Sequence, residues 1–278
     1  SVGGTGKTPV TIWLVERLRE WGWKPGIISR GYGGHSAQYP LRVHADTPPP
    51  QCGDEPALMA RRLACPLAVA PDRVAAARLL IESGEVDVLV SDDGLQHYRL
   101  HRDLEFCVVD GVCGLGNGAL LPAGPLREPP ARLRGMNFVF INGGTWCAPE
   151  GIVHARFRLR MGEVQRLLPG ASRPLSAFSG QRVHAVAGIG NPQRFFDQLA
   201  AQGLQVIPHA FDDHQAYAAS DLAFGDGLPV LMTEKDAVKC AAFAQAQHWQ
   251  VPVDMQFQEA PSAAVRKLIE PLKMKTHG

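Results

Sequence analysis

The sequence predicts an α/β protein with a mostly parallel sheet core and a second, smaller α/β domain. Three observations carry that expectation. Short, nearly continuous apolar runs at 86–91, 106–109 and 138–141 alternate with helical segments through the first half. Strands that are buried on both faces read this way, because helices cover a parallel sheet above and below. A second alternation of strand-like and helix-like segments follows a turn-rich stretch, in a chain of 278 residues. That length exceeds the roughly 100–200 residues usual for one domain.

Taken in order, residues 9–21 predict a helix with Val10, Leu14, Leu18 and Trp21 on one face. Pro9 suits its first turn, where a missing N–H costs little. Strands are predicted at 26–29 and 67–70, helices at 55–64 and 72–83. The strand at 86–91 is interrupted only by Asp87. From 149 to 180 the character changes. Residues 154–160 alternate apolar and basic side chains, predicting an exposed antiparallel strand, and 169–174 is rich in turn formers. Beyond it, strands are predicted at 183–187, 205–207, 230–232 and 253–257, with helices at 192–202, 235–246 and 262–272. The expected division is a core over 1–150, a strand linker over 151–180 and a smaller C-terminal α/β domain over 181–278.

Composition narrows the function classes. Apolar residues make up 45% and charged residues 20% of the chain, as in a globular protein with a substantial core. Lys and Arg total 28 against 27 Asp and Glu. That balance excludes a general nucleic-acid binder, which needs a basic surface. The six cysteines are scattered without a C-x-x-C pair, so they read as reduced cytosolic thiols. No apolar run reaches the roughly 18 residues of a membrane span, and no signal peptide is visible.

The opening, Ser1-Val2-Gly3-Gly4-Thr5-Gly6-Lys7-Thr8-Pro9, carries the sharpest chemistry. Gly3 to Thr8 fit the end of the phosphate-binding loop G-x-x-x-x-G-K-S/T. Its glycines let backbone N–H groups approach phosphate oxygens before a helix N-terminus. Lys7 would neutralise the β- and γ-phosphates and Thr8 would offer its hydroxyl to Mg²⁺. Gly3, Gly4, Thr5 and Gly6 complete the nucleotide cradle, and the core belongs to the P-loop NTPase-like class. Ser1 stands where the first glycine is expected. Such a loop ordinarily follows a buried strand, so an N-terminal piece is expected ahead of Ser1. The partner is the run 86–94, which ends in Ser91-Asp92-Asp93-Gly94. A buried strand closing on acids is the Walker-B arrangement, which holds carboxylate near the metal. Asp92 and Asp93 are the candidates. A related reading is a nucleotide-driven switch protein acting on a protein or metal partner; there a lysine usually precedes the paired glycines, where this chain has Val2.

Other polar groups allow two readings each. Asp54 and Glu55 stand before a predicted helix. Asp54 is either its N-cap or the group that takes a proton from an attacking hydroxyl. His214, in Phe211-Asp212-Asp213-His214, is either structural or the partner that tunes such a base. The two belong to different halves of the chain and can meet only across a cleft, where small-molecule sites favour forming. Ser29-Arg30-Gly31-Tyr32-Gly33-Gly34 predicts a mobile loop in which Tyr32 can stack or donate a hydrogen bond. Arg127, in the rigid turn 120–128, is either half of an Arg127–Glu128 surface pair or a finger for the transferring phosphoryl group. Thr233-Glu234-Lys235-Asp236 starts a helix and faces the same cleft.

Together these runs resemble one family, tetraacyldisaccharide 4'-kinase. They are VGGTGKTP at 2–9, SRGYGG at 29–34, GDEP at 53–56, DDGLQH at 92–97, LLPAGPLRE at 120–128, GIGNPQRFF at 188–196, FDDH at 211–214 and MTEKDAVK at 232–239. The resemblance implies ATP-dependent phosphorylation of the 4'-hydroxyl of a tetraacylated glucosamine disaccharide 1-phosphate, with Mg²⁺. It implies Asp54 as base paired with His214, and Lys7 and Thr8 on nucleotide and metal. Asp92 and Asp93 would fill the metal role with Gln96 nearby, and Tyr32, Glu55, Arg127 and Glu128 would line the site. It further implies a membrane-associating N-terminal segment, a peripheral place at the cytoplasmic face of the bacterial inner membrane, and a lipid partner rather than a nucleic acid.

Overall fold

The computed structural model of the chain describes residues 5–273. In chain order the elements are α1 (Lys7–Glu20), β1 (Pro25–Ser29), β2 (Leu41–Arg42), α2 (Pro49–Cys52), α3 (Asp54–Leu63), β3 (Leu67–Val69), α4 (Arg73–Glu82), β4 (Val88–Ser91), β5 (Phe106–Asp110), β6 (Phe138–Asn142) and β7 (His154–Met161). There follow β8 (Val164–Arg166), β9 (Ser172–Arg173), β10 (Arg182–Ala187), α5 (Pro192–Ala201), β11 (Gln205–Ala210), β12 (Val230–Thr233), α6 (Glu234–Cys240), β13 (His248–Val251), β14 (Val253–Phe257) and α7 (Ser262–Lys273). They form three sheets, ordered β2-β3-β1-β4, β14-β7-β6-β5 and β11-β10-β12-β13-β8-β9.

The apolar runs become buried parallel strands. Every residue of β1 is buried, and β1 pairs in parallel with both β3 and β4. Likewise β5, β6 and β7 run parallel, and β6 is buried throughout. Helix α1 packs two ways. Val10, Leu14 and Leu18 join Phe138, Phe140 and Phe157 in one core, while Ile12 and Val15 join Ile27, Met59 and Leu67 in another. The segment at 154–160 is antiparallel only to β14 and parallel to β6; Phe157, fully buried there, makes it an interior strand rather than an exposed one.

Two departures concern the second half. Residues 253–257, expected beside the later strands, pair instead with β7, and Phe257 packs against Trp13 and Phe140. Helix α7 follows it, placing Val265 and Ile269 in the core of α1. The helix expected over 235–246 ends at Cys240, and a strand at 248–251 lies parallel to β12.

Between β4 and β5, whose other edges pair with β1 and β6, lies a cavity of about 1860 Å³. Its walls include both strands, α1 and the end of α7. Elsewhere Arg62 of α3 fastens the early sheet to the later elements. Its guanidinium binds Glu234 of α6 at 3.0 Å, the Val253 carbonyl at 3.0 Å and the Asp254 carboxylate. This clamp holds α3 against α6, and both carry groups of the site.

Candidate active site

The phosphate loop meets helix α1 at Gly6, its N-cap, whose φ of 95° is a left-handed conformation. Only glycine adopts it freely, and a Cβ there would lie 3.1 Å from the Asn142 amide and 3.2 Å from the Phe157 ring. Asn142, at the end of β6, donates to the Thr5 carbonyl at 3.2 Å. The loop is thus pinned to the sheet beneath it. Thr5 is buried, and Thr8 sits half-buried in the first turn of α1. Gly3 and Gly4 lie outside the described residues.

Asp92 and Asp93 follow β4 and fare differently. Asp92 is buried, and the Thr11 hydroxyl, one turn after Lys7, donates to it at 3.1 Å. Burial, then the nearby charges of Asp93 and Glu55, push its carboxyl up to about 6 against that hydrogen bond. Asp93 has a left-handed backbone, φ 49°, which aspartate tolerates. Burial works against its charge, but the Arg127 hydrogen bond and the Lys7 ammonium outweigh that and hold it below the usual carboxylate range. Lys7 lies 3.3 Å from Asp93 and Arg127 2.9 Å. Arg127 also donates to Gln96 at 3.3 Å, and Gln96 donates to Glu128 at 2.8 Å. The structure therefore joins Lys7, Asp93, Arg127, Gln96 and Glu128 in one network. His97 turns away, 3.7 Å from Asp72.

A second cluster forms around Asp54. The N-cap of α3 is Gly53, with φ 93°, where a Cβ would lie 2.5 Å from the Tyr32 carbonyl. Asp54 is the first helical residue. Its buried carboxylate does not cap the helix but accepts from His214 Nδ1 at 3.0 Å, across 160 residues of sequence. The N-cap alternative is thereby corrected. Burial raises the Asp54 carboxyl above its ordinary value, Glu55 adds to this, and Lys239, Lys235 and the His214 hydrogen bond oppose it. His214 also has φ 64°, a conformation that costs energy and is met at functional sites. The Tyr32 ring meets the imidazole edge-on at 5.2 Å and is itself exposed. Lys235 spans Glu55 at 3.0 Å and Asp213 at 2.8 Å.

Glu55 links the two clusters, since its charge acts on Asp92 and on Asp54 alike. Chemically, a cationic loop and paired acids sit beside a carboxylate–imidazole pair. That combination can bind a polyphosphate and remove a hydroxyl proton. The oxygen donors of Thr8, Asp92, Asp93 and Gln96 suit Mg²⁺, which takes one or two carboxylates and leaves other positions to phosphate and water. No group of three or more His, Cys, Asp or Glu that could hold a metal ion occurs among the described residues. Sequence reasoning missed Thr11, Tyr217 and the buried contacts of Asp236 and Lys239, although both lie in the run 232–239. Thr11 alone had a usable signal, lying one turn beyond Lys7 on the same helix face.

The family model of tetraacyldisaccharide-1-P 4'-kinase matches residues 1–270 of the chain. The tetraacyldisaccharide 4'-kinase of Nitrosococcus oceani is 50% identical over 270 residues, covering 97% of this chain and 78% of that protein. That of Stenotrophomonas maltophilia is 52% identical over 278 residues, covering 98% and 82%. Among solved structures, the crystal structure of LpxK from Aquifex aeolicus in complex with ATP superposes with a TM-score of 0.81 at 27% identity. The match covers 98% of this chain and 85% of that one.

Proposed function

Because the chain belongs to the tetraacyldisaccharide-1-P 4'-kinase family, we propose that it moves the γ-phosphoryl group of ATP to the 4'-hydroxyl of an acylated glucosamine disaccharide 1-phosphate, and that the Asp54–His214 pair accepts the hydroxyl proton. The observation that carries the residue assignment is the 3.0 Å hydrogen bond from His214 to a buried Asp54, whose carboxylate lies 4.0 Å from Lys239 of α6.

Lys7, with the backbone of residues 3–8, binds the nucleotide phosphates. The acceptor oxygen attacks the γ-phosphorus in line as the bond to the β–γ bridging oxygen breaks, and ADP leaves. Asp54 Oδ takes the hydroxyl proton. His214 holds the carboxylate in place through Nδ1–H, and Tyr32 covers the imidazole. Arg127 and Lys7 stand ready to leave Asp93 and meet phosphoryl oxygens, since both already share that carboxylate. Asp92, Asp93, Thr8 and Gln96 would hold Mg²⁺, which when bound neutralises phosphate charge. Most of the acceleration comes from positioning and charge neutralisation, as in phosphoryl transfer generally.

The cavity between β4 and β5 is not assigned to the acyl chains. Among the described residues the facing edges of β4 and β5 pair with no further strand, so main-chain N–H and C=O groups line two of its walls, and hydrocarbon would leave them unsatisfied. Peripheral contact with the cytoplasmic face of the inner membrane is part of the proposal. Leu120 and Leu121, exposed in the turn that leads to Arg127, support it. No helix among the described residues is long and apolar enough to cross a membrane. The switch-protein reading finds no observation in its favour. Incubation with γ-labelled ATP and the acylated disaccharide 1-phosphate in detergent micelles should label the lipid. Hydrolysis of ATP with the lipid unlabelled would overturn the proposal.

A further inference from the structure

We propose that Lys239 is a positioning residue, supplying the buried positive charge against which the Asp54 carboxylate is held; the inference rests on Asp54 being the proton acceptor. The Lys239 side chain is 6% exposed, and its ammonium lies 4.0 Å from Asp54 Oδ2 and 3.0 Å from Asp236 Oδ1. It also stands 4.8 Å over the Tyr217 ring. An ammonium withdrawn from water this far requires compensating charge. Asp236 supplies part of it but is already committed. Fully buried, it accepts from the Gly188 N–H at 3.0 Å, the Tyr217 hydroxyl at 3.0 Å and the Thr233 hydroxyl at 2.6 Å. The Lys239–Asp236 pair lies outside hydrogen-bonding geometry, and Nζ has no acceptor of its own. Asp236 therefore anchors Lys239, and the remaining attraction is directed at Asp54.

The other groups facing Asp54 cannot take over this role. Lys235, one turn earlier on α6, is shared between Glu55 and Asp213. Glu55 is a like charge on α3 itself. His214 and Asp213 come from the segment after β11, and Tyr32 from the loop after β1. Cys52 on α2 stays a neutral thiol, pushed up to about 11 by burial. Tyr217 stays a neutral phenol, raised by burial and by Asp236. Among the charges that oppose the burial of Asp54, Lys239 acts most strongly.

The test is the pH profile of kcat in lipid–detergent micelles for wild type, Lys239→Met, Lys239→Arg, the double variant Lys239→Met/Asp236→Asn and Asp54→Asn. Losing a cation about 4 Å from a buried carboxylate should move the acid limb of Lys239→Met up by about one pH unit or more. Its kcat should fall most, by about 10-fold or more, on the acid limb of the profile and recover to within about 3-fold on the alkaline plateau. KM for ATP should stay unchanged, and Lys239→Arg should return the limb to its wild-type position. The double variant leaves no unpaired charge at position 236, so it keeps the test open should Lys239→Met fold poorly, and it should show the same displaced limb. A limb at the wild-type position, a loss uniform across pH, or recovery of the wild-type limb in the double variant would overturn the proposal. Near-normal turnover of Asp54→Asn would instead remove the base assignment. An inactive Asp54→Asn beside an unmoved Lys239→Met limb would reject the role of Lys239 alone.

Discussion

Replacing Asp92 by Asn should make the protein more stable and less able to bind nucleotide. The Asp92 carboxyl is buried and is pushed from its ordinary 3.8 up to about 6. A group whose folded-state pKa is raised favours the fold while protonated in both states and loses that contribution as pH rises through the folded value. Ionised Asp92 therefore costs roughly 3 kcal/mol of stability above pH 7. Asn keeps the size and can still accept from Thr11, without the charge. The expected gain is below about 1 kcal/mol near pH 4 and approaches about 3 kcal/mol near pH 8. For a chain of this size that is a rise in Tm of roughly 6–12 °C at the higher pH. Urea unfolding at several pH values reads it directly. The same variant should lose the stabilisation that Mg–ATP gives the wild type, because the site loses an anionic ligand. A variant of unchanged or lower stability at pH 8, or a gain that does not vary with pH, would refute the reasoning.

Two further perturbations test the frame around the site. Gly6→Ala forces a side chain into a left-handed position and against Asn142 and Phe157; it should cost about 1–2 kcal/mol and raise KM for ATP at least about 10-fold, as steady-state kinetics and thermal unfolding would show. Arg62→Met leaves the buried Glu234 carboxylate without its cation and should destabilise by about 3 kcal/mol. Arg62→Met/Glu234→Gln should recover most of that loss in the same denaturant titration.

Local pattern made much of the fold legible. The apolar runs of β1, β4, β5 and β6 and the periodicity of α1 needed no tertiary information. What escaped was set by distance along the chain. The sequence at 253–257 reads as a strand, but its place beside β7 depends on Phe257 meeting Trp13 and Phe140, which no window of sequence contains. The strand at 248–251 was hidden because the buried His248 and the half-buried Gln250 interrupt its apolar character.

The chemistry shows the same division. Glycine, lysine and threonine at fixed spacing announce a phosphate cradle, and a strand ending in two aspartates announces its partner. Asp54 and His214 were recognisable as residue types. Yet whether Asp54 caps a helix or meets an imidazole is decided by Gly53, which takes the cap and frees the carboxylate. Lys239 closes the run MTEKDAVK, but nothing in its spacing marked it as buried. A lysine on a short helix looks like a solvated surface group, and only the packing of α6 against α3 buries it.

The assignment of Asp54 as proton acceptor is tested most directly by single-turnover kinetics on Asp54→Asn, mixing pre-bound Mg–ATP with the lipid acceptor and quenching on the millisecond scale. The predicted result is nucleotide affinity close to wild type with the transfer step slowed about 10²–10⁴-fold. Transfer at the wild-type rate, with His214 facing a neutral amide, would contradict it.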